Sequence, residues 1–502
     1  MSMEPSSWVV PCDSGWSLEE AAEWSSDRRI SFQKSLPSHS ESVMQLQVVE
    51  YAAPSTATTT HDNDCSYPIQ VFEEAVQPFR ADYLDSMERK MHKFPPSLID
   101  VNDTRYNAPV TVAIGPYHHA RHPGVLEAER LKHVAATQCM RDSSCSVQEM
   151  YNGVSSVSGI ARSLYHQDEV AGIGDNDFLP MMFFDACFLV QFMRWYHVVD
   201  DDMDQVLVSY FYANFERIST DIMMLENQIP WVVVETVFSF MPPASSPWPW
   251  EKFVVAMRSG LKNRVGSGVV QDIVVDPNYQ PPHLLGLVRF YIVGNNKSDK
   301  HLELPKNKPM SLSISIAELA DIGITLVPKE MEAGLVDMGL NTKSWCFFEI
   351  GDLVVPPLFL TEANATWLVN MAAFELCKTP NFEAAGVQDE DSAVCSYLHL
   401  FAMLLDQKKH VRDLQENHVI EGGGLTSEEA LQFFTCIGKN MRLGLFYLDI
   451  IIKIENFKRN RSFLLRSYLF IMKNMNKIIA VISIIGAVVG ILSSLQALKP
   501  AA

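Results

Sequence analysis

The stretch "DIMMLENQIPWVVVE" (residues 221–235) places Glu226, Asn227 and Gln228 next to one another among apolar residues. The apolar surroundings predict a buried helix over residues 219–241, which Pro230 must kink or divide into two because proline has no backbone N–H. A buried polar group without a hydrogen-bond partner costs about 1–3 kcal/mol. We therefore expect all three polar side chains to have partners in the core.

A second apolar run, "FLPMMFFDACFLVQFMRWYHVV" (residues 178–199), poses the same problem because it contains Asp185 and Arg194. Each ionisable residue at bilayer depth would cost about 2.5–3.5 kcal/mol. The run therefore predicts a core helix of a large helical domain, and not a membrane span. Donors for its carboxylate are expected from an arginine such as Arg162 or from histidines.

Histidines are concentrated in "TVAIGPYHHARHPG" (residues 111–124), at His118, His119 and His122. The first and third have the i, i+4 spacing of a zinc-binding helix. Prolines on both sides interrupt a helix there, and the glutamate of the zinc motif is absent. The pattern favours a histidine-rich turn after a short strand, "VTVAIG", and we predict no metal and no cofactor.

Two interpretations of the polar residues remain open. They form a satisfied hydrogen-bond network that fixes the packing of the helices, or His118, Asp185 and Glu226 form a buried acid–base or ligand site. The sequence contains no GxSxG, no phosphate-binding GxxxxGK[ST], no GxGxxG and no kinase motif. Enzymatic activity is therefore uncertain, and a non-enzymatic role is favoured.

The periodicity along the chain predicts a mainly α fold with a minor antiparallel β element (α+β), in which Gly351 and Asp352 form a turn between two strands. We expect a large helical body followed by one C-terminal transmembrane helix. The predicted segments are a disordered N-terminal extension (1–68), a globular body (69–445), a basic membrane-proximal segment (446–477) and a transmembrane helix (478–498).

Charge is unevenly distributed along the chain. The net charge is −20, of which the part from residue 451 onward contributes +7 and the first 450 residues −27. An acidic body repels phosphate backbones, which excludes nucleic acid as a partner. Nine cysteines without CxxC pairs indicate reduced thiols.

The C-terminal run "IIAVISIIGAVVGILSSLQAL", from Ile478 to Leu498, has no charged residue. As a helix it would span roughly 30 Å, which matches the hydrocarbon core of a bilayer. The basic residues precede it almost without exception, so a single-pass anchor would leave the body in the cytosol. Gly486 and Gly490 form a GxxxG pattern, which favours close helix packing and thus a homodimer as one alternative.

Several of these segments also occur together in one known family. They are "RYNAPVTVAIGPYHHA" (105–120), "ARSLY" (161–165), "MMFFDACFLVQF" (181–192), "DIMMLENQIPWVVVE" (221–235), "DLVVPPLFLTEAN" (352–364), "NMAAFE" (370–375) and "SYLHLFAMLL" (396–405). With them the chain resembles the plant domain-of-unknown-function 247 family, also called uncharacterised protein family 0481. "GPYHH" followed later by "LENQIP" is the most specific part of the resemblance.

The resemblance implies a largely helical body with one C-terminal membrane pass and no established activity or cofactor. Some grass members of the family are associated with self-incompatibility. We expect a membrane-anchored plant protein that binds an unknown protein partner in recognition or signalling; the alternative is an uncharacterised enzyme that uses the His/Asp/Glu cluster. The family-motif residues are Gly115, Pro116, Tyr117, His118, His119, Arg162, Asp185, Glu226, Asn227, Gln228 and Pro230.

Overall fold

Helices dominate the part of the chain that the structure, a computed structural model, describes. The described residues are 87–98, 104–119, 125–143, 145–197, 203–242, 248–261, 272–294, 314–329, 334–345, 348–379, 381–382, 387–422, 424–459 and 470–497, without positions 88 and 472. The N-terminal extension predicted to be disordered lies outside them.

The described α-helices and strands confirm the mainly helical prediction. The helices are α1 (Val125–Asp142), α2 (Val147–Ser163), α3 (Gln167–Val170), α4 (Asp175–His197), α5 (Gln205–Asp221), α6 (Trp231–Phe240), α7 (Pro249–Leu261), α8 (Leu284–Val293), α9 (Ile316–Asp321), α10 (Glu362–Lys378), α11 (Ala393–Leu404), α12 (Lys408–Glu416), α13 (Ser427–Asn440), α14 (Leu445–Arg459) and α15 (Met475–Ala497). The strands are β1 (Ile324–Pro328), β2 (Gly339–Trp345), β3 (Phe348–Val355), β4 (Leu358–Leu360) and β5 (Ile420–Gly422).

Helix α4 is the centre of the N-terminal half, where it packs against α1, α2, α6 and α7. Its Phe192 is fully buried and meets Phe211 edge-on at a centroid distance of 5.2 Å. Residues Asp175–Tyr196 are long and apolar enough to cross a membrane, but most of this helix is buried inside the folded body. The prediction of a core helix in this run is therefore confirmed.

The prediction of a helix over residues 219–241 is wrong for residues 222–230, which are not helical. Helix α5 ends at Asp221 and α6 begins at Trp231, and residues 222–230 between them form turns and irregular backbone. Pro230 directly precedes the first residue of α6. Its missing N–H costs no hydrogen bond there, because the N–H groups at the start of a helix have no partner inside the helix. The proline therefore separates two helices, which was one of its two expected effects.

The β element is mixed, and the prediction of an antiparallel element is wrong in this respect. In the three-stranded sheet β1-β3-β2, strand β3 pairs in parallel with β1 and antiparallel with β2; β4 and β5 form a separate parallel pair. Gly351 and Asp352 lie inside β3 and pair with Ile324 and Thr325, so they form no turn. Strand direction depends on connections that hydrophobic periodicity does not encode.

Helix α11 is the centre of the C-terminal half and contacts α10, α13 and α14. Helix α14 buries Tyr447, Ile450 and Ile454. Part of the range predicted as the basic membrane-proximal segment thus packs with the body. The six described cysteines are free thiols.

A buried ion pair connects the two halves. The carboxylate of Glu375 in α10 accepts hydrogen bonds from Arg289 of α8 at 2.6 and 3.0 Å. It also accepts from the backbone N–H groups of Val394 and Cys395, at 3.0 and 2.9 Å, where α11 begins. One side chain thus fixes three helices at once, because a buried charge must have its lone pairs satisfied.

The C-terminal helix α15 is 23 residues long, about 35 Å at the usual helical rise. It begins three residues before the predicted span. Its large apolar side chains are exposed, among them Ile482 (63%), Ile484 (64%) and Val488 (49%). Within the residues whose side chains are described, Met475–Ile491 is an apolar helix shorter than a complete span.

The Glu375→Gln substitution tests the buried pair, because it leaves the Arg289 guanidinium buried without its counter-charge. We expect the free energy of unfolding to fall by about 3–5 kcal/mol, measured by urea denaturation of the full-length chain. The control is Lys343→Gln, which breaks the exposed pair of Lys343 with Asp352 and should cost at most about 1 kcal/mol. Equal effects of the two substitutions would contradict this role.

Candidate functional site

The predicted strand "VTVAIG" is not formed; the segment has no regular secondary structure, and most of its backbone N–H groups bond to side chains. The carboxylate of Asp221, at the end of α5, accepts from the N–H groups of Val110 (3.1 Å), Thr111 (2.6 Å) and Val112 (2.9 Å). Burial raises the pKa of Asp221 to about 6, and the three N–H groups oppose this rise because they stabilise the charged form. One carboxylate thus replaces a neighbouring strand.

Asn227 binds the backbone of the same segment two residues further along. Its Oδ1 accepts from the N–H of Ile114 at 2.6 Å. Its Nδ2 donates to the carbonyl oxygens of Val112 and Asp221, at 3.0 and 2.9 Å. The side-chain amide therefore pairs with the segment as another backbone would.

Asp185 of α4 binds the end of the segment and a buried lysine. Its Oδ2 accepts from the N–H of Gly115 at 2.7 Å, and its Oδ1 lies 2.6 Å from Nζ of Lys132 in α1. The ammonium also donates to the carbonyl of Ala113 (2.5 Å) and to Glu129 (2.6 Å). Burial acts to lower the pKa of Lys132, but the two carboxylates outweigh it and raise the pKa. The lysine is therefore a buried cation held by the fold.

Arg162 is not a donor to this cluster, so that expectation is wrong. Its guanidinium donates to the carbonyl oxygens of Val170 and Ile173, at 3.1 and 2.9 Å, and to Asp175 at 3.0 Å. These contacts secure the loop that leads into α4. Lys132 of α1 supplies the positive charge instead, and its long side chain allows the ammonium group to reach the core.

Gln228 stabilises the turn between α5 and α6. Its Nε2 donates to the carbonyl oxygens of Ile222 (2.7 Å) and Met224 (2.9 Å), and its Oε1 accepts from the N–H of Leu285 (3.1 Å). The hydroxyl of Tyr165 donates to the Gln228 backbone carbonyl at 2.9 Å. The turn is therefore joined to α8.

Asn370 of α10 is a member of the network that the sequence did not single out as a site residue. Its Oδ1 accepts from the N–H of Leu225 at 2.8 Å, and its Nδ2 donates to the carbonyl of Tyr106 at 2.8 Å. Trp367, one helical turn earlier, donates to the carbonyl of Ser219 at 3.1 Å. The sequence could have indicated this role, because an asparagine in the apolar run "NMAAFE" needs hydrogen-bond partners for the same reason as Asn227.

Of the three candidate catalytic residues, two are in contact and the third is occupied elsewhere. Nε2 of His118 lies 3.3 Å from Oε2 of Glu226, whose Oε1 accepts from the N–H of Phe94 at 2.8 Å. These two side chains are 13% and 17% exposed. Both oxygens of Asp185 already have donors, so its geometry fits a structural role better than that of a base. Within the described part of the chain, no group of three side chains could hold a metal ion.

The remaining motif residues position the turn. Gly115 has φ = +77°, and a Cβ there would lie 2.5 Å from the carbonyl oxygen of Gln228. The hydroxyl of Tyr117 donates to the carbonyl of Met91 at 2.7 Å. His119 is exposed, and His122 lies outside the described residues.

A buried histidine that the sequence did not suggest precedes α8. Nδ1 of His283 accepts from the N–H of Gly286 at 3.1 Å and caps the helix. Its ring lies edge-on to Phe374 at 4.8 Å, and its Nε2 has no hydrogen-bond partner among the described residues. Burial, with a smaller contribution from His92, lowers the pKa of His283 to about 3. The ring is therefore neutral in the folded protein.

Gly115→Ala should destabilise the protein, because alanine combines an unfavourable left-handed conformation with a contact below van der Waals distance. We expect a loss of about 2 kcal/mol or more in the free energy of unfolding. Gly159→Ala in α2 is the matched control, since nothing lies within 4 Å of its Cβ position. It should be neutral or stabilising. A Gly115→Ala protein as stable as the control would refute the close approach.

His283→Asn keeps an acceptor for the helix N-terminus but removes the titrating ring. The unfolded pKa of 6.5 exceeds the folded value of about 3, so the unfolded chain takes up the proton first as pH falls. The stability that His283 contributes is complete above the unfolded pKa and declines as pH falls towards the folded one. Between about pH 7 and about pH 5 the variant should lose about 2 kcal/mol less than the parent, measured by urea denaturation. Parallel stability curves for the two proteins would contradict this prediction.

Comparison with known proteins agrees with the segments from which the resemblance was inferred. The family model for domain of unknown function 247, described as "Plant protein of unknown function", matches residues 91–493. The UPF0481 protein At3g47200 of Arabidopsis thaliana is 21% identical over 394 residues, which cover 72% of this chain and 76% of that protein. No solved structure matches the chain. The chain therefore belongs to the plant family defined by domain of unknown function 247.

Proposed function

We propose that this protein is a non-enzymatic recognition or signalling component that is anchored to a membrane by α15 and binds another protein through its body. The observation that carries the proposal is the exposed apolar surface of α15. Ile479, Val481, Ile482, Ile484, Ile485, Val488, Val489 and Ile491 are each 49–64% exposed. Complete transfer of an exposed side chain of this size out of water gains roughly 1.5–3 kcal/mol, and these side chains gain the part of it that corresponds to their exposed surface.

The charges next to α15 support insertion with the body on the cytosolic side. Lys473 and Lys477 lie at its N-terminal end, and Lys453, Lys458 and Arg459 lie in or at the end of α14. Lysine and arginine beside a span favour the cytosolic side and the anionic lipids there. The acidic body is repelled by the same lipids, so the anchor would hold it at the surface without embedding it.

The polar network supports a non-enzymatic role. Asp185, Asp221 and Asn227 use their polar atoms to hold backbone groups and Lys132, which leaves them poorly placed for proton transfer to a substrate. His118 and Glu226 are the pair on which the enzymatic alternative rests, because they are in contact and partly exposed. A role in self-incompatibility would be one form of such recognition. Identification of the protein partner would test it.

Anchoring is tested by placing two arginines in α15 with Ile484→Arg and Val488→Arg. Each charge at bilayer depth costs about 2.5–3.5 kcal/mol, so the double variant should move from the membrane pellet to the supernatant after ultracentrifugation of detergent-free extracts. The matched control is Ile160→Arg with Val206→Arg, two body positions that are each 59% exposed. This control should remain in the pellet.

Recovery of the unmodified chain in the supernatant would refute the anchor.

The binding role is tested separately by proximity labelling from the full-length chain, with the α15 double variant as the reference. We expect a reproducible partner that depends on the anchor. Labelling of the same proteins by both chains would refute an anchored recognition role.

A further inference from the structure

A cavity of about 440 Å³ lies between α6, the first turn of α7, the segment 272–283 and α8. Its volume is within the range of small-molecule sites. Six aromatic side chains line it: Trp231, Phe238, Trp248, Trp250, Tyr279 and Tyr291. It is distinct from the polar network, because none of the cavity's lining residues belongs to the "GPYHH" or "LENQIP" segments.

The cavity has an excess of negative charge. Glu235, Glu251 and Asp276 line it, and the described residues of its wall include no lysine and no arginine. The neighbouring Lys252 points its ammonium to Asp272, 3.1 Å away. Burial raises the pKa of Glu251, and Asp272 adds to the rise, while the Trp248 backbone and Lys252 oppose it. A positive charge in the cavity would relieve this unfavourable concentration of carboxylates.

The aromatic wall is held in place by contacts of its own. The backbone N–H of Trp231 donates to the carbonyl of Pro282 at 2.9 Å, and the Trp231 ring meets that of Trp250 edge-on at 6.4 Å. Tyr279 stacks on Phe290 at a centroid distance of 3.8 Å, and its hydroxyl donates to a backbone carbonyl of α8. The rings therefore need little reordering when a ligand enters, which favours binding.

We propose that this cavity binds a quaternary ammonium group. The faces of tryptophan and tyrosine attract cations, most strongly when the cation is desolvated. A quaternary ammonium group is weakly hydrated and has no N–H to satisfy, so an aromatic wall suits it better than it suits a primary amine or a metal ion. The carboxylates at the wall supply the counter-charge. This inference does not depend on the membrane anchor or on a protein partner.

Two sources present this group, namely a free small cation such as choline and a trimethyllysine side chain of a peptide. Isothermal titration calorimetry with the full-length chain distinguishes them when choline and a trimethyllysine peptide are titrated separately. The detergent should be a polyoxyethylene type, which carries neither a choline headgroup nor a sugar. Peptide binding at least about tenfold tighter than choline binding assigns the site to a side chain, and equal or weaker peptide binding assigns it to a free cation.

The charge requirement is tested with the neutral carbon isostere of choline, in which carbon replaces the charged nitrogen. Choline should bind at least about tenfold more tightly than this isostere. Glu235→Gln combined with Glu251→Gln should weaken choline binding by a similar factor, whereas Glu216→Gln, at an exposed site on α5, should not change it. Circular dichroism and thermal melting verify that each variant is folded.

The proposal would be overturned by no heat of binding with either cation at millimolar concentration, by equal affinity for choline and its isostere, or by choline binding that is unaffected by the double substitution. Binding of a neutral sugar in preference to choline would also overturn it, because aromatic walls with carboxylates bind sugars as well.

Discussion

The fold depends on how the backbone of residues 110–115 is satisfied without a neighbouring strand. Buried N–H and C=O groups require partners, and Asp221, Asn227 and Asp185 supply them. These three side chains belong to the end of α5, to the turn that follows it and to α4. The position of this segment therefore fixes the relative positions of elements that are far apart in the sequence.

This arrangement explains why the most distinctive motifs of the chain are structural. "LENQIP" contributes side chains that act as backbone partners, and "GPYHH" contributes the turn that their geometry requires. Losing one member would leave N–H groups of the segment buried and unpaired, at about 1–3 kcal/mol each. Polar atoms that already bind backbone groups are poorly available for catalysis or ligand binding. Functional surfaces are therefore expected where side chains are not used in packing. Among the described residues, the exposed apolar helix α15 and the acidic aromatic cavity are two such features.

Sequence patterns succeeded where the determining interactions are local. Helix α4 follows from an apolar run of helical length, and its central burial follows from an apolar surface on nearly every face. Patterns failed where a choice between alternatives depends on distant contacts. "VTVAIG" has the composition of a strand but lies beside carboxylates and an amide, and residues 222–230 have helical composition but are held as turns by Gln228 and Asn370.

The sequence by itself determined that the chain is mainly helical, that Asp185, Asn227 and Gln228 must be paired, and that its C-terminal helix is apolar on all sides. These properties follow from composition and from the cost of burying polar atoms, which apply to any fold of the chain. Only the tertiary structure decided which partners they have: Lys132 for Asp185, Ile114 for Asn227, and Leu285 for Gln228. It also decided that Arg289 pairs with Glu375 and that six aromatic rings and three carboxylates line one cavity. The reason is that many side chains of suitable type could satisfy each group, and the choice among them depends on how helices distant in sequence pack together.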